Sequence, residues 1–320
     1  MINDTSYVVL LIYDFPRKKN VKVICASAEG KFKLHGEITK RICWANTKSF
    51  ENSDIVVIGI PNEIGSHASR RGTSKAPDVI RKISNQRDVY RHKKITSLAL
   101  PTSGSPKANV CDFGNIQKRQ ISHVFSKIAD NSKIPITIGG DHSNTIQIIK
   151  TLAKKFGPIS LVYFDAHPDL IGSRGSYYGS TVFDSLPHID TKSSMLIGIR
   201  SPEQEEINNI KKYNVRVITP FDVIEKGIKQ ITNTVLSTIK KNAYISFDMD
   251  CLDPAYAPGV SVPVPFGLES QDVMYLIKKI AQKGIVGFDI MEVSPEHDLK
   301  DVTSHLASRL VGELISSCKV

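Results

Sequence analysis

The sequence predicts an α/β fold, three layers deep, with helices on both faces of a mostly parallel central sheet. Three observations lead there. First, short apolar runs rich in β-branched residues alternate with longer amphipathic stretches from Asp54 onward, a pattern that calls for parallel strands joined by crossover helices. Second, three of those apolar runs end in acids or histidines. Ile134 to Ile138 leads into Gly139-Gly140-Asp141-His142-Ser143, Ile159 to Tyr163 into Phe164-Asp165-Ala166-His167-Pro168-Asp169, and Ala243 to Phe247 into Asp248-Met249-Asp250. Parallel α/β sheets present ligand-binding groups outside the carboxyl ends of their strands. Third, the 320 residues show no internal repeat and no linker, and large parallel sheets reach this length as one domain.

Taken in order, residues 1–50 form an extension unlike the rest. Val21 to Cys25 and Lys31 to Leu34 flank Glu29-Gly30, which predicts a hairpin serving as a small edge sheet or subunit contact. Ile55 to Ile60 then reads as a strand, 61–71 as a loop, and Ala76-Pro77-Asp78 as a helix start with proline in its first turn. Residues 91–113 carry no regular pattern. Ile116 to Asp130 reads as a helix, Ile134 to Ile138 as a strand, Ser143 to Phe156 as a helix, Ile159 to Phe164 as a strand and 170–190 as a Gly/Ser-rich loop. Strand Ser194 to Ile199 follows, then a helix opened by Ser201-Pro202-Glu203, strand Val215 to Ile218, and two helices, the first begun by Thr219-Pro220 and the second ending near Lys241. The chain closes with strand Ala243 to Phe247, a loop to Gly267, helix Ser270 to Gln282, strand Ile285 to Ile290 and helix Val302 to Ser317.

Composition narrows the function. An apolar fraction of 41% supplies a core and argues against disorder. The net charge of +10 invites a polyanion partner, but the basic residues lie in scattered pairs such as Lys18-Lys19 and Lys154-Lys155. A solvated surface is the better reading, and no nucleic-acid partner is expected. Five cysteines without a Cys-x-x-Cys pair indicate neither a disulfide framework nor a thiolate zinc site, and fit a reducing, cytoplasmic setting. Cys251 falls off the ligand face by alternation and reads as a packed thiol. The apolar run Tyr7 to Tyr13 is too short to span a bilayer and has no basic region before it, so neither a membrane anchor nor a secretory leader is expected.

The chemistry concentrates at the three strand ends. His142, Asp165, His167, Asp169, Asp248 and Asp250 are six metal-capable side chains. Alternation lets Asp165, His167 and Asp169 converge if the backbone stays extended. Four gathered carboxylates repel one another unless cations neutralise them, and two divalent ions match them in charge.

These stretches, with their continuations Leu252-Asp253-Pro254 and Gly287-Phe288-Asp289-Ile290-Met291-Glu292-Val293-Ser294-Pro295, resemble the ureohydrolases, the family of arginases and agmatinases, from about Ser53 to the C-terminal helix (residues 53–317). The resemblance implies an arginase-like fold and two manganese ions per subunit. One ion would take His142, Asp165, Asp169 and Asp248, and the other His167, Asp165, Asp248 and Asp250. Asp141 and Asp253 would support these ligands from behind. It implies hydrolysis of a guanidinium to urea and an amine by a water bridging the metals, aimed by Asp169, with Glu292 gripping the guanidinium N–H groups. It also implies a homo-oligomer, a trimer or hexamer.

Three positions depart from the family pattern. Tyr178 stands where a proton-shuttling histidine is expected, and His67 or His188 are possible substitutes. Val262 replaces a threonine near the expected guanidinium, and Phe266 a glycine. Arginases place an asparagine for the substrate's α-carboxylate where this chain has Ile171, preceded by Leu170. An apolar pair cannot hold a carboxylate, so agmatine, which lacks one, is the expected substrate ahead of other guanidino or formimino compounds. Tyr178 and Val262 also fit a metal-binding paralogue of low turnover with a structural or regulatory role.

Overall fold

The computed structural model describes residues 41–86, 108–172 and 175–320, all within a unit spanning Gly36–Val320. The hairpin expected at residues 21–34 lies outside the described residues. Among the described residues eight strands, β1 (Ile55–Ile60), β2 (Val110–Asn115), β3 (Ile134–Gly139), β4 (Ser160–Phe164), β5 (Met195–Ile197), β6 (Arg216–Ile218), β7 (Ala243–Asp248) and β8 (Gly287–Met291), form one sheet in the order β2-β1-β3-β8-β7-β4-β5-β6. Every neighbouring pair is parallel. The helices among the described residues are α1 (Ala76–Ser84), α2 (Ile121–Asp130), α3 (Asn144–Phe156), α4 (Thr181–Ser185), α5 (Gln204–Tyr213), α6 (Pro220–Lys226), α7 (Ile228–Thr238), α8 (Ser270–Lys283) and α9 (Val302–Ser317).

The three layers follow from strand alternation. Ile55 and Val57 of β1 enter one core with Ile80 of α1, Val235 of α7, Ile277 of α8 and Leu310 of α9. Val56, Ile58 and Ile60 enter the other, with Phe125 of α2 and Ile148 of α3. Both faces are therefore covered, which is why the strands read as continuous apolar runs rather than alternating ones. Each fully buried Ile or Phe contributes roughly 1.5–3 kcal/mol.

One stretch expected to be irregular is ordered: residues 110–115 form edge strand β2 beside β1. Its sequence, Val-Cys-Asp-Phe-Gly-Asn, hides a strand because Asp112 points inward to Arg81, and the pairing slips between Val57 and Ile58. The helix expected from Ile116 begins only at Ile121, after a single tight turn at 118–120 that Gln117 and Gln120 cap reciprocally. The loop expected at 170–190 contains α4, a little over one turn long.

The order of strands fixes where chemistry can happen. β1 and β3 are neighbours, but the next strand, β4, lies beyond both β8 and β7. Such a switch opens a crevice at the carboxyl ends. It sets the ends of β3, β8, β7 and β4 side by side, and every chemistry-bearing motif of the sequence lies on one of these four.

Candidate metal centre

The six predicted side chains meet at this crevice, through turns and not through an extended backbone. β4 ends at Phe164, and Asp169 sits at φ 50°, a left-handed conformation that aspartate tolerates better than most residues but still at some cost. This turn sends His167 and Asp169 to different partners. His167 Nδ1 lies 3.3 Å from Asp165 Oδ1 and 3.2 Å from Asp250 Oδ2. His142 Nδ1 lies 3.0 Å from Asp165 Oδ2, 3.1 Å from Asp248 Oδ2 and 3.8 Å from Asp169 Oδ2. Two groups of donors result, His142-Asp165-Asp169 and Asp165-His167-Asp250, with the ligand atoms of each within 4.8 Å of one another. Asp165 belongs to both.

Local sequence explains the placement. Asp248 closes β7, and the single helical turn 249–251 folds back so that the Asp250 amide donates to Asp248 Oδ1 at 2.8 Å. The Ala166 amide donates to Asp250 Oδ1 at 3.0 Å, locking the β4 turn to the β7 turn. At the end of β3, Gly140 passes the backbone of Asn62 so closely that a Cβ would stand 2.0 Å from its carbonyl oxygen. Only glycine fits there, and His142 could not otherwise reach the crevice.

Burial and mutual repulsion dominate the electrostatics. Burial pushes the carboxyls of Asp169, Asp248 and Asp250 up, and neighbouring carboxylates push them further. Asp165 is driven up by burial too, but its bonds to His142 and His167 outweigh this and hold it below the usual range. Burial would lower both histidines. The acids around them reverse that, raising His142 well above its ordinary value and His167 to about 12. Among the described residues these two imidazoles are the sole ion-pair partners of the four aspartates. Four acids thus face at most two protein cations.

Glu292 is buried at φ 61° at the end of β8. Its Oε1 accepts the His142 amide at 2.8 Å, while Oε2 has no hydrogen bond of ordinary geometry; the Ser261 hydroxyl lies near the carboxylate. Burial, with help from Asp141, raises its carboxyl to about 8. A cavity of about 260 Å³ opens over the acids and is lined by Glu292, Ile171, Tyr177, Tyr178, Glu203, Glu206 and Val262. Burial raises the Tyr178 hydroxyl above its ordinary value.

The two expected supporting acids touch no ligand side chain. Asp141 accepts the Gly65 and Ser66 amides at 2.7 and 3.1 Å and so pins the 61–71 loop over the crevice. Asp253 accepts the Ala255 and Gly267 amides and shapes the following loop. Of the substitute histidines, His188 is excluded by position, since its carbonyl pairs with Ile159 beside the amino end of β4. His67 packs against Tyr177 at a tilt, ring centres 4.7 Å apart, and its ring centre lies 6.4 Å from that of Tyr178. Phe266 carries φ 64°, the conformation a glycine would adopt freely, and the residue is 77% exposed. Cys251 is fully buried in the core.

Three residues that hold the centre together escaped the sequence reading. Tyr163 stacks on His142 with ring centres 4.6 Å apart, and its hydroxyl reaches His142 Nδ1 at 2.9 Å and donates to Asp169. Ser246 Oγ lies 2.9 Å from His142 Nε2 and donates to Asp289 Oδ1 at 2.8 Å. Asp289 also accepts from Thr145 and Tyr244. The available signal was a charged residue inside the apolar run of β8, because a buried acid in a strand must be meeting donors.

The donor set fits divalent cations: oxygen-rich, with some imidazole, buried and short of positive charge. A carboxylate shared between two donor groups suits a pair of ions rather than one. Fold and donors together define a parallel α/β protein built around a crevice whose side chains could hold metal ions. A model of the arginase family matches residues 53–316, and the chain belongs to that family. An agmatinase of Proteus mirabilis is 30% identical over 263 residues, covering 79% of this chain and 83% of its own. The crystal structure of an agmatine ureohydrolase of Thermoplasma volcanium superposes with a TM-score of 0.75 at 34% identity, over 89% of this chain and 94% of that one. A proclavaminate amidino hydrolase from Streptomyces clavuligerus gives 0.75 at 27% identity, over 86% and 98%. No helix among the described residues is long and apolar enough to cross a membrane.

Proposed function

We propose that this chain is an agmatinase-type hydrolase, a single ureohydrolase domain that loads two manganese ions and splits agmatine into putrescine and urea. The observation that carries the reading is the buried nest itself: four aspartates, two histidines and no lysine or arginine paired with them among the described residues. His142, Asp165, Asp169 and Asp248 would hold one ion, and Asp165, His167, Asp248 and Asp250 the other. Ions so held supply Lewis acidity and a water of lowered pKa.

The chain's own groups supply the rest. The acidic crevice draws in a cationic guanidinium. Glu292 Oε2, buried and short of a hydrogen bond, accepts a guanidinium N–H. Asp169, at the cavity wall, accepts a hydrogen bond from the attacking water and aims it. The leaving amine needs a proton as the C–N bond breaks, and Tyr178, which lines the same cavity, is the candidate to relay one. Ile171 and Val262 present apolar surface where an α-carboxylate would need donors, which favours agmatine over arginine. Names of relatives and structural neighbours point the same way. A cytoplasmic homo-oligomer, a trimer or hexamer serving polyamine synthesis, completes the reading.

Urea release from agmatine, arginine and 4-guanidinobutyrate, with metal content measured on the same sample, tests it. Urea from agmatine with added manganese is the expected result. No urea from any of the three across a broad pH range would reject it. Tyr178 motivates a second reading, a metal-binding paralogue of low turnover. Tyr178→His separates the two: a large gain in turnover favours the paralogue, and a loss makes the tyrosine the working group.

A further inference from the structure

Arg200 follows β5 and stands outside the nest, yet it touches three of the segments that build the crevice. Its guanidinium meets no carboxylate among the described residues. Instead Nη2 donates to the carbonyls of Asp250 at 2.8 Å, Leu252 at 3.3 Å and Val264 at 2.5 Å. Nη1 donates to Gly198 at 3.1 Å and Cys251 at 3.2 Å, and Nε to Pro265 at 3.0 Å. All three nitrogens of the fork are thus engaged by main-chain oxygens. The main chain around Arg200 adds a third tie. The amides of Arg200 and Ser201 both donate to the Ala166 carbonyl, at 2.9 and 3.1 Å, between Asp165 and His167. Gly198 permits this approach: a Cβ there would lie 2.9 Å from the Asp165 carbonyl, on a backbone at φ 99°.

The arrangement has a physical logic. An arginine paired with an acid would take a ligand from the nest. A carbonyl cage carries no net charge, so Arg200 is satisfied without competing for one. Its planar fork fixes several oxygens at once, which the point charge of a lysine cannot do. Apart from that of Gly198, the carbonyls it holds belong to the turn carrying Asp250 with Leu252 and to residues 264 and 265, just beyond Val262 on the cavity wall.

We propose that Arg200 is a positioning residue. It clamps the Asp250 turn and the 258–267 loop to the Asp165–His167 turn, and so sets the spacing of the ion site formed by Asp165, His167 and Asp250. The proposal relies on the hydrolase reading only for the identity of the ligands. A metal titration and a proteolysis rate test it without assuming any substrate.

The experiment compares the full chain with Arg200→Lys and Arg200→Met. Manganese binding is followed by calorimetry on metal-free protein, and chymotrypsin cleavage after the exposed Phe266 both with and without manganese. Arg200→Lys is expected to keep one ion at wild-type affinity, to bind the other about 10–100-fold more weakly, and to be cut after Phe266 several-fold faster. Arg200→Met should behave likewise. Should it fail to fold, Arg200→Lys alone decides. Wild-type affinity for both ions with an unchanged cleavage rate would overturn the proposal. So would equal weakening of both ions with a lowered melting temperature and unchanged cleavage, which marks a general structural role. A wild type that releases no urea leaves these readouts intact. A wild type that binds no manganese sinks the hydrolase reading, and the cleavage rate still judges the clamp.

Discussion

Asp112 and Asp165 are both almost completely buried, at 3% and 1% exposure, yet their surroundings are opposites. Asp112 meets Arg81 through two parallel bonds, Nε to Oδ2 at 2.9 Å and Nη2 to Oδ1 at 3.0 Å, and also accepts the amides of Ile42 and Gly114. Glu313 under α8 is treated similarly, by Lys278 and Arg309. In these places the chain brings its own cation to each buried acid. Around Asp165 it gathers three more aspartates and only two histidines. A fold that can neutralise buried acids elsewhere leaves this group undercharged, and that difference supports the proposal that the crevice takes up external cations.

The contrast can be broken experimentally. The largest effect is expected from Asp165→Ala, which removes the carboxylate common to both donor groups. Activity should fall by about 10³-fold or more and metal content should drop, with little loss of melting temperature in metal-free protein. A marked destabilisation without metal would mean the nest is structural after all. Asp112→Ala should do the reverse. It strands Arg81 in the core, and urea denaturation should show a loss of about 3–5 kcal/mol with or without metal. Asp289→Asn and Ser246→Ala loosen His142 from behind, and manganese affinity by calorimetry should weaken about 10–100-fold. At the small end, Lys226→Ala removes the exposed pair with Asp222, at 2.5 Å and one helical turn apart. It should cost only about 0.3–0.5 kcal/mol in thermal melts, setting the scale against which both buried groups are judged.

The legible parts of this protein were those where local pattern and tertiary role coincide. β1, β3, β4, β7 and β8 could be read because burial on both faces makes each an unbroken apolar run, and their terminal acids stand next to them in sequence. β2 could not, because its inward Asp112 answers Arg81, 31 positions earlier, and no local pattern records that debt. The six donor positions were legible as residues. Their partners were not: the turn at Asp169 sends alternating side chains to separate groups, where an extended strand would have aligned them. Ser246, Tyr163 and Arg200 stayed hidden for the same reason, since each acts on residues brought near only by the sheet. Asp141 and Asp253 were read as props for the ligands, and they instead pin loops through backbone amides.

The position of β8 carries a consequence for how the protein is made. It is the last strand of the chain, yet it lies between β3 and β7, and the amide of His142 is held by a carboxylate 150 residues downstream. During translation the two halves of the sheet must wait, edges unpaired, until the segment around Gly287–Met291 leaves the ribosome and slots between them. Chains cut short before that point would expose open strand edges and an unfinished crevice.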